Sequence, residues 1–207
     1  METIQWSFSG ATNMRTARIE RNTRETRITV EIDLDGSGRH EVSTGIPFLN
    51  HMMEIFARHS LIDLKIAATG DLDVDDHHTV EDLGIVLGTC IDQALGDRRG
   101  IRRYGFMLLP MDESLCQVAL DLGGRPFMVY NVNNERKTIK TFDVRLVEEF
   151  FRALMTQARM NLHINHLYGD EVHHAYESVF KAFARALRMA VEIDPREGGV
   201  PSSKGVI

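Results

Sequence analysis

His77, His78 and Glu81 lie in the run DDHHTVEDLG, and His173, His174 and Glu177 in VHHAYESVF, so the pattern His-His-x-x-Glu occurs twice in the 207 residues. Neutral imidazole and carboxylate together suit borderline divalent ions such as manganese, iron or zinc. On a helix, residues i and i+4 share a face, so His77 with Glu81 and His173 with Glu177 can each grip one ion. His78 and His174, one position on, point about 100° away and are placed to serve a different ion. If a two-fold axis relates the two patterns, the simplest arrangement gives each ion a His and a Glu from one helix and the lone His from the other. His51 is the leading candidate for a further ligand, and Glu149 is its positional counterpart. A single HH pair at a helix start is ordinarily a surface feature; two in equivalent places of a repeated chain point to metal. The flanking acids Asp73, Asp75, Asp76 and Asp82 read as solvated capping charge.

The elements that must position these groups follow from periodicity. The stretch ETRITVEIDLDG alternates Ile28, Val30, Ile32 and Leu34 with polar residues, and DGSG then signals a turn into a second short strand, so the segment reads as a hairpin. Pro47 opens a helix with Phe48, Met52, Ile55 and Phe56 at helical spacing, a strand follows within Ser60 to Gly70, and a long helix runs from about His77 to Ala94. The second half repeats this order. Strands near Phe106–Leu109 and Leu115–Leu122 and a further strand after GGRPF lead to a helix near Val144–Met160. The strand NLHINHL and a helix over Val172–Val191 complete it. The chain is therefore expected to be an α+β domain, an internally duplicated strand-strand-helix-strand-helix unit. Residues 18–95 form the first repeat and 96–193 the second, with an extension of no assigned function at 1–17 and a tail at 194–207.

Composition narrows the class. A hydrophobic content of 43% suits a folded core, and 24 Lys+Arg against 30 Asp+Glu give a net charge of −6 with no basic run to track a phosphate backbone, so nucleic acid is not expected as a partner. Cys90 and Cys116 form no CxxC pair, which fits a reducing, cytoplasmic setting. Neither a signal peptide nor a membrane span is expected. Arg102 and Arg103 after GDRRGI, and Arg125 in GGRPF, are cations beside turns that can present a fork to an anion, although each alone is equally a surface charge, as is Lys181. The tail DPREGGVPSSKGVI reads either as a loose end or as a segment that orders over an anion through Ser202, Ser203 and Lys204.

Together these residues resemble one family, imidazoleglycerol-phosphate dehydratase. The matching stretches are RNTRET (21–26), TGIPFLNHM (44–52), DVDDHHTVEDLGIVLG (73–88), DLGGRPF (121–127), VEEFFRAL (147–154), HHAYESVFKAFARAL (173–187) and PSSKG (201–205), and they cover nearly the whole chain from Arg18. The resemblance implies two four-stranded sheets with helices packed between them, and a homo-oligomeric shell of about 24 subunits with metal sites between subunits. It implies two Mn2+ per active site, one held by His51, His78, His173 and Glu177, the other by His77, Glu81, Glu149 and His174. Some members carry His where this chain has Glu149. The implied reaction is dehydration of D-erythro-imidazole-glycerol phosphate to imidazole-acetol phosphate in histidine biosynthesis, through an imidazolate stabilised by the two ions. Glu25 is then the general acid/base. Arg103, Arg125, Lys181, Ser202, Ser203 and Lys204 would hold the phosphate, with His59 as a further substrate contact and Lys181 also counted in the catalytic set. Two other classes fit the paired motifs alone: a metal-storage or metal-sensing assembly, and a dimetal phosphate-ester hydrolase.

Overall fold

The structure, a computed structural model, describes residues 15–132 and 137–207. The described residues form ten strands and four helices. The first unit comprises β1 (Thr16–Asn22), β2 (Thr26–Asp33), β3 (His40–Ser43), α1 (Pro47–Ser60), β4 (Asp63–Gly70) and α2 (His77–Leu95). The second comprises β5 (Tyr104–Met111), β6 (Ser114–Asp121), β7 (Phe127–Asn131), the two-residue strands β8 (Thr138–Ile139) and β9 (Phe142–Asp143), α3 (Leu146–Gln157), β10 (Asn161–Tyr168) and α4 (Val172–Val191).

The duplication is visible in the pairing. The sheets have the orders β1-β2-β4-β3 and β5-β6-β10-β7, with β3 parallel to β4 and β7 parallel to β10 and every other contact antiparallel. Alternation decides which face is covered: Thr26, Ile28, Val30 and Ile32 of β2 are buried, while the intervening residues are not.

The expected hairpin across DGSG does not form. The partner of β2 is β1, which begins at Thr16, two residues before the boundary drawn from the sequence, and β3 crosses to lie beside β4. Asp63, buried at the start of β4, explains the crossing. Its Oδ1 accepts from the N–H groups of Ser37 (2.8 Å) and Arg39 (2.9 Å), and Arg39 Nε donates to Oδ2 at 2.7 Å, so the turn is pinned to β4 instead of folding back. Most of the proposed extension 1–17 lies outside the described residues; at its end Arg15 donates to Asp35 (2.9 Å) and to the Val191 carbonyl (2.5 Å).

Each closing helix covers its own sheet and meets the other unit's first helix, α2 packing on α3 and α4 on α1. The helices thus lie between the two sheets. At the α2–α3 crossing a Cβ at Gly84 would stand 2.6 Å from the Phe150 carbonyl oxygen and one at Gly88 would stand 2.3 Å from that of Leu154, so only glycine permits this approach. Around α4 the layer is filled by aromatic rings: Phe151 to Phe180 at 5.0 Å, Phe151 to Phe183 at 5.1 Å and Phe56 to Phe183 at 5.8 Å. Burying each such ring contributes about 1.5–3 kcal/mol. Among the described residues no helix is long and apolar enough to cross a membrane.

Candidate metal centre

Helix α1 starts at Pro47, whose missing N–H costs nothing at that position. Asn50 Oδ1 accepts from the N–H (2.9 Å) and hydroxyl (2.7 Å) of Thr44, which fixes the chain just before His51. Because α1 packs on α4, His51 comes to the first turns of α4. Glu177 Oε2 lies 2.9 Å from His173 Nε2 and 3.4 Å from His51 Nε2. Ligand atoms of His51, His173 and Glu177 all lie within 4.8 Å of one another. Burial raises the Glu177 carboxyl pKa, but Lys181 Nζ at 2.6 Å and His173 outweigh it, so the group lies below its ordinary value and is ionised at neutral pH. Two imidazoles facing one anionic oxygen form a donor set that fits a borderline divalent ion. Beside it is a cavity of about 240 Å³ walled by Ile46, Phe48, Ile139 and Phe142, with the Phe48 ring 5.9 Å from that of His173.

The adjacent histidines diverge in both units as helical geometry requires, their rings standing at 85° to each other in each pair. His77 faces Glu81 at 3.9 Å. His78 Nδ1 is 3.1 Å from Asp71 and 3.9 Å from Glu25, and His174 Nδ1 is 2.8 Å from Glu113. The Asp71 hydrogen bond raises the His78 pKa, and the Glu113 hydrogen bond raises that of His174. A carboxylate on Nδ1 leaves Nε2 of each ring as the available ligand atom. His78 is not in the His51 group, so the cross-pairing does not close within one chain. Glu149 lies in the first turn of α3, the helix packed on α2, as His51 lies on the helix packed on α4.

Of the acids flanking the first motif, Asp75 behaves as expected, accepting from the His77 N–H at 2.8 Å. Asp82 does not. It is 7% exposed and accepts from Arg21 Nε at 2.8 Å and from the Thr26 hydroxyl at 2.5 Å. Its position one helical turn before buried Val86 was the available signal, since residues four apart share a face.

The anion candidates converge at the opposite end of α4. Arg103, Arg125, Ser202, Ser203 and Lys204 line a pocket of about 260 Å³ with Tyr104 and Gly123. Arg103 takes the left-handed conformation (φ 71°), held there by its N–H on the Ala190 carbonyl (2.9 Å) and by its own carbonyl accepting from Leu122 (3.0 Å). Its guanidinium forks onto Asp121 (2.6 and 3.0 Å) and donates to the Pro201 carbonyl (2.8 Å), so it anchors the tail. With the Gly100 N–H on the Gly199 carbonyl at 2.8 Å, the tail is tied down and not a loose end. Arg125 and Lys204 have no carboxylate partner among the described residues, which leaves them to meet an anion. Lys181 is not in this pocket; it stands at the metal end, paired with Glu177. His59 faces the same stretch of α4, and burial, then Lys181 and Arg185, lower its pKa and favour the neutral ring.

Comparison with known proteins places this arrangement. The family model for imidazoleglycerol-phosphate dehydratase matches residues 44–187. Proteins of that name are similar over nearly the whole chain: one from Bordetella petrii is 55% identical over 94% of this chain and 100% of its own length, and one from Nitrosomonas eutropha is 53% identical with the same coverage. A relative from Neisseria gonorrhoeae is 54% identical over 96% of this chain, which spans 66% of that longer protein. The crystal structure of the Staphylococcus aureus dehydratase superposes with a TM-score of 0.79 at 39% identity, covering 86% of this chain and 99% of that one. The Pyrococcus furiosus structure, in complex with (S)-C348, gives 0.79 at 35% identity, covering 91% and 100%. The chain belongs to the imidazoleglycerol-phosphate dehydratase family.

Proposed function

We propose that this chain dehydrates imidazole-glycerol phosphate to imidazole-acetol phosphate in histidine biosynthesis, with two manganese ions in each active site. The observation that carries the reading is the convergence of His51, His173 and Glu177 beside an apolar cavity, within a chain of this family. The ions, when bound, would supply Lewis-acid stabilisation of the negative charge that develops on the substrate ring. The apolar wall of Phe48 and Phe142 suits a flat ring and excludes water from it. Glu25, 3.9 Å from His78, would carry the proton between the substrate carbon and the departing hydroxyl. Arg125, Ser202, Ser203 and Lys204 would hold the phosphate, with Arg103 fixing the tail that supplies three of them.

One substrate cannot reach both sites of a single chain. The anion pocket adjoins Ala190 and the metal group adjoins His173, about 25 Å apart along α4 at about 1.5 Å per residue. That is far longer than one ring, a three-carbon chain and a phosphate. We therefore read the working enzyme as a homo-oligomer whose active sites combine residues of neighbouring chains, with His78 completing the His51 group from a neighbour. The buried free cysteines Cys90 and Cys116 favour a reducing cytoplasm.

The test is direct. Metal-loaded protein should consume imidazole-glycerol phosphate and form a ketone. Failure of assembled, metal-loaded protein to do so overturns the lyase reading, and release of inorganic phosphate would favour a hydrolase. Chelation should lower the mass in solution, because the ions bridge chains; unchanged mass after complete metal removal counts against shared sites.

A further inference from the structure

We infer that Asp82 is a positioning residue that locks the Glu25 turn onto the helix carrying His77, His78 and Glu81. The inference rests on Glu25 as the proton carrier proposed above. Glu25 lies exposed in the turn between β1 and β2, where its carboxylate has to be aimed by the backbone. The N–H groups of Glu25 and Thr26 both donate to Thr23 Oγ1, at 3.0 and 2.9 Å, and the Thr23 N–H donates to the Thr26 carbonyl at 2.9 Å. Thr23 Oγ1 lies 3.2 Å from Thr26 Oγ1, and the Thr26 hydroxyl donates to Asp82 Oδ2 at 2.5 Å. The other oxygen of Asp82 accepts from Arg21 at 2.8 Å. One buried carboxylate therefore holds Arg21 near the end of β1 and Thr26 at the start of β2, on either side of the turn.

Asp82 Oδ2, by accepting from Thr26, also sets the direction of the hydroxyl hydrogen bonds in this relay. A hydroxyl has one proton to give. Thr26 gives its proton to Asp82, so Thr26 Oγ1 can only accept from Thr23. The Thr23 proton is then committed to Thr26, and its lone pairs are left facing the two N–H groups that shape the turn. Such a relay ends on an anion and is polarised along its length.

The second unit serves as an internal control. In its place Ser178 on α4 lies 3.4 Å from Ser114 at the start of β6, and Ser178 donates to the Ala175 carbonyl at 2.7 Å. Ser114 Oγ lies 2.8 Å from His166 Nε2, and among the described residues no carboxylate bonds to either hydroxyl. The turn beside it, Asp112–Glu113, faces His174, and no proton carrier is proposed for it. The charged anchor occurs in the unit whose turn carries Glu25. Misplacing a reacting group by about 1 Å can cost about 100-fold in rate, which is reason for such an anchor.

The experiment compares Asp82→Ser, which installs the residue of the second unit, with Thr23→Ala, Glu25→Gln and the Glu25→Gln/Asp82→Ser double variant, in manganese-loaded protein of verified metal content and mass. Thr23 is exposed, so Thr23→Ala breaks the same relay without touching the core. Each single change should lower kcat by about tenfold or more, with KM for the substrate altered by less than about threefold. Asp82→Ser should add nothing to the loss already caused by Glu25→Gln, because the two act through one group. Amide hydrogen exchange at Glu25 and Thr26 should quicken by about tenfold in Asp82→Ser and in Thr23→Ala. Losses that multiply in the double variant, or unchanged exchange at the turn, would overturn the inference. A Glu25→Gln enzyme of normal rate would instead overturn the proton-carrier reading, and the exchange data would then decide whether Asp82 holds the turn.

Discussion

Helices α2 and α4 share two histidines and a glutamate in their first turns, and at the residue after the glutamate α2 has Asp82 where α4 has Ser178. The difference spreads outward from there. Where α2 meets α3 on Gly84 and Gly88, the corresponding residues of α4 are Phe180 and Ala184, and Phe180 packs its ring on Phe150 and Phe151 of α3 instead of admitting a backbone. On the outer faces, one register across the first sheet reads Arg18, Glu31, Lys65, Glu41, and its counterpart across the second reads Phe106, Ala119, His163, Val129. The first row carries ion pairs between Arg18 and Glu31 and between Lys65 and Glu41. Duplication thus kept what fixes the backbone and the ligand spacing. Divergence left the turn that carries Glu25 in the first unit, and the pocket of Arg125 with the tail in the second.

The largest expected effect tests that division. Glu25→Gln should lower kcat by about 10²–10⁴-fold while metal content and mass stay unchanged, because on the proposed function it removes the proton carrier and no ligand. Steady-state rates with elemental analysis decide it, and a near-normal rate would remove Glu25 from the mechanism. The clasp between the units comes next. Arg98, three residues past the end of α2, is 3% exposed; it pairs with Asp92 of α2 and donates to the carbonyls of Leu122 (2.8 Å), Ala158 (2.9 Å) and Arg159 (3.3 Å) in the second unit. Arg98→Met leaves those carbonyls and Asp92 unpartnered and should cost about 3 kcal/mol or more in denaturant unfolding. An unchanged midpoint would mean that the units are held together by their helices alone.

A smaller effect is expected at Glu113. Its bond to His174 Nδ1 orients the ring, so Glu113→Ala should weaken manganese retention by about 10–100-fold, read by metal titration, with less effect on kcat than Glu25→Gln. An equal loss of kcat in both variants, at saturating metal, would make the two turns equivalent and abolish the comparison.

Much of this was legible in the sequence because it is local. The i, i+4 spacing of His and Glu and the divergence of the adjacent histidines follow from helix geometry alone, and the alternation in β2 names its buried face without any knowledge of the partner strand. What was not legible is long-range. The pairing of β3 with β4 depends on Asp63 being buried beneath the 36–39 turn, and nothing in DGSG distinguishes that turn from a hairpin. Asp82 reads as one more acid in an acidic helix start; only its row with Val86 hints at burial. The separation of His78 from His51, and of the anion pocket from the metal group, is set by how the helices exchange partners between units. Strand β1 is hard to see in the sequence because its inward row, Ala17, Ile19 and Arg21, is only partly buried and ends in a charged residue, so its alternation is weak.

The smallest expected change within a chain is on the outer faces, where the contrast between the sheets is sharpest. Phe106 is 68% exposed, yet it occupies the position that Arg18 occupies in the first sheet. An exposed ring contributes little to folding, so Phe106→Arg should alter the stability of the dissociated chain by no more than about 0.5 kcal/mol. Tyr104 and Leu108 lie exposed beside it, and an apolar row of this kind on one sheet alone is a surface that another chain would cover. Phe106→Arg should therefore reduce the mass of the assembly in solution, while Arg18→Phe, which makes the opposite exchange on the paired sheet, should leave that mass unchanged. If both variants assemble normally, the apolar row is not a contact between chains, and the two sheets differ in composition without differing in role.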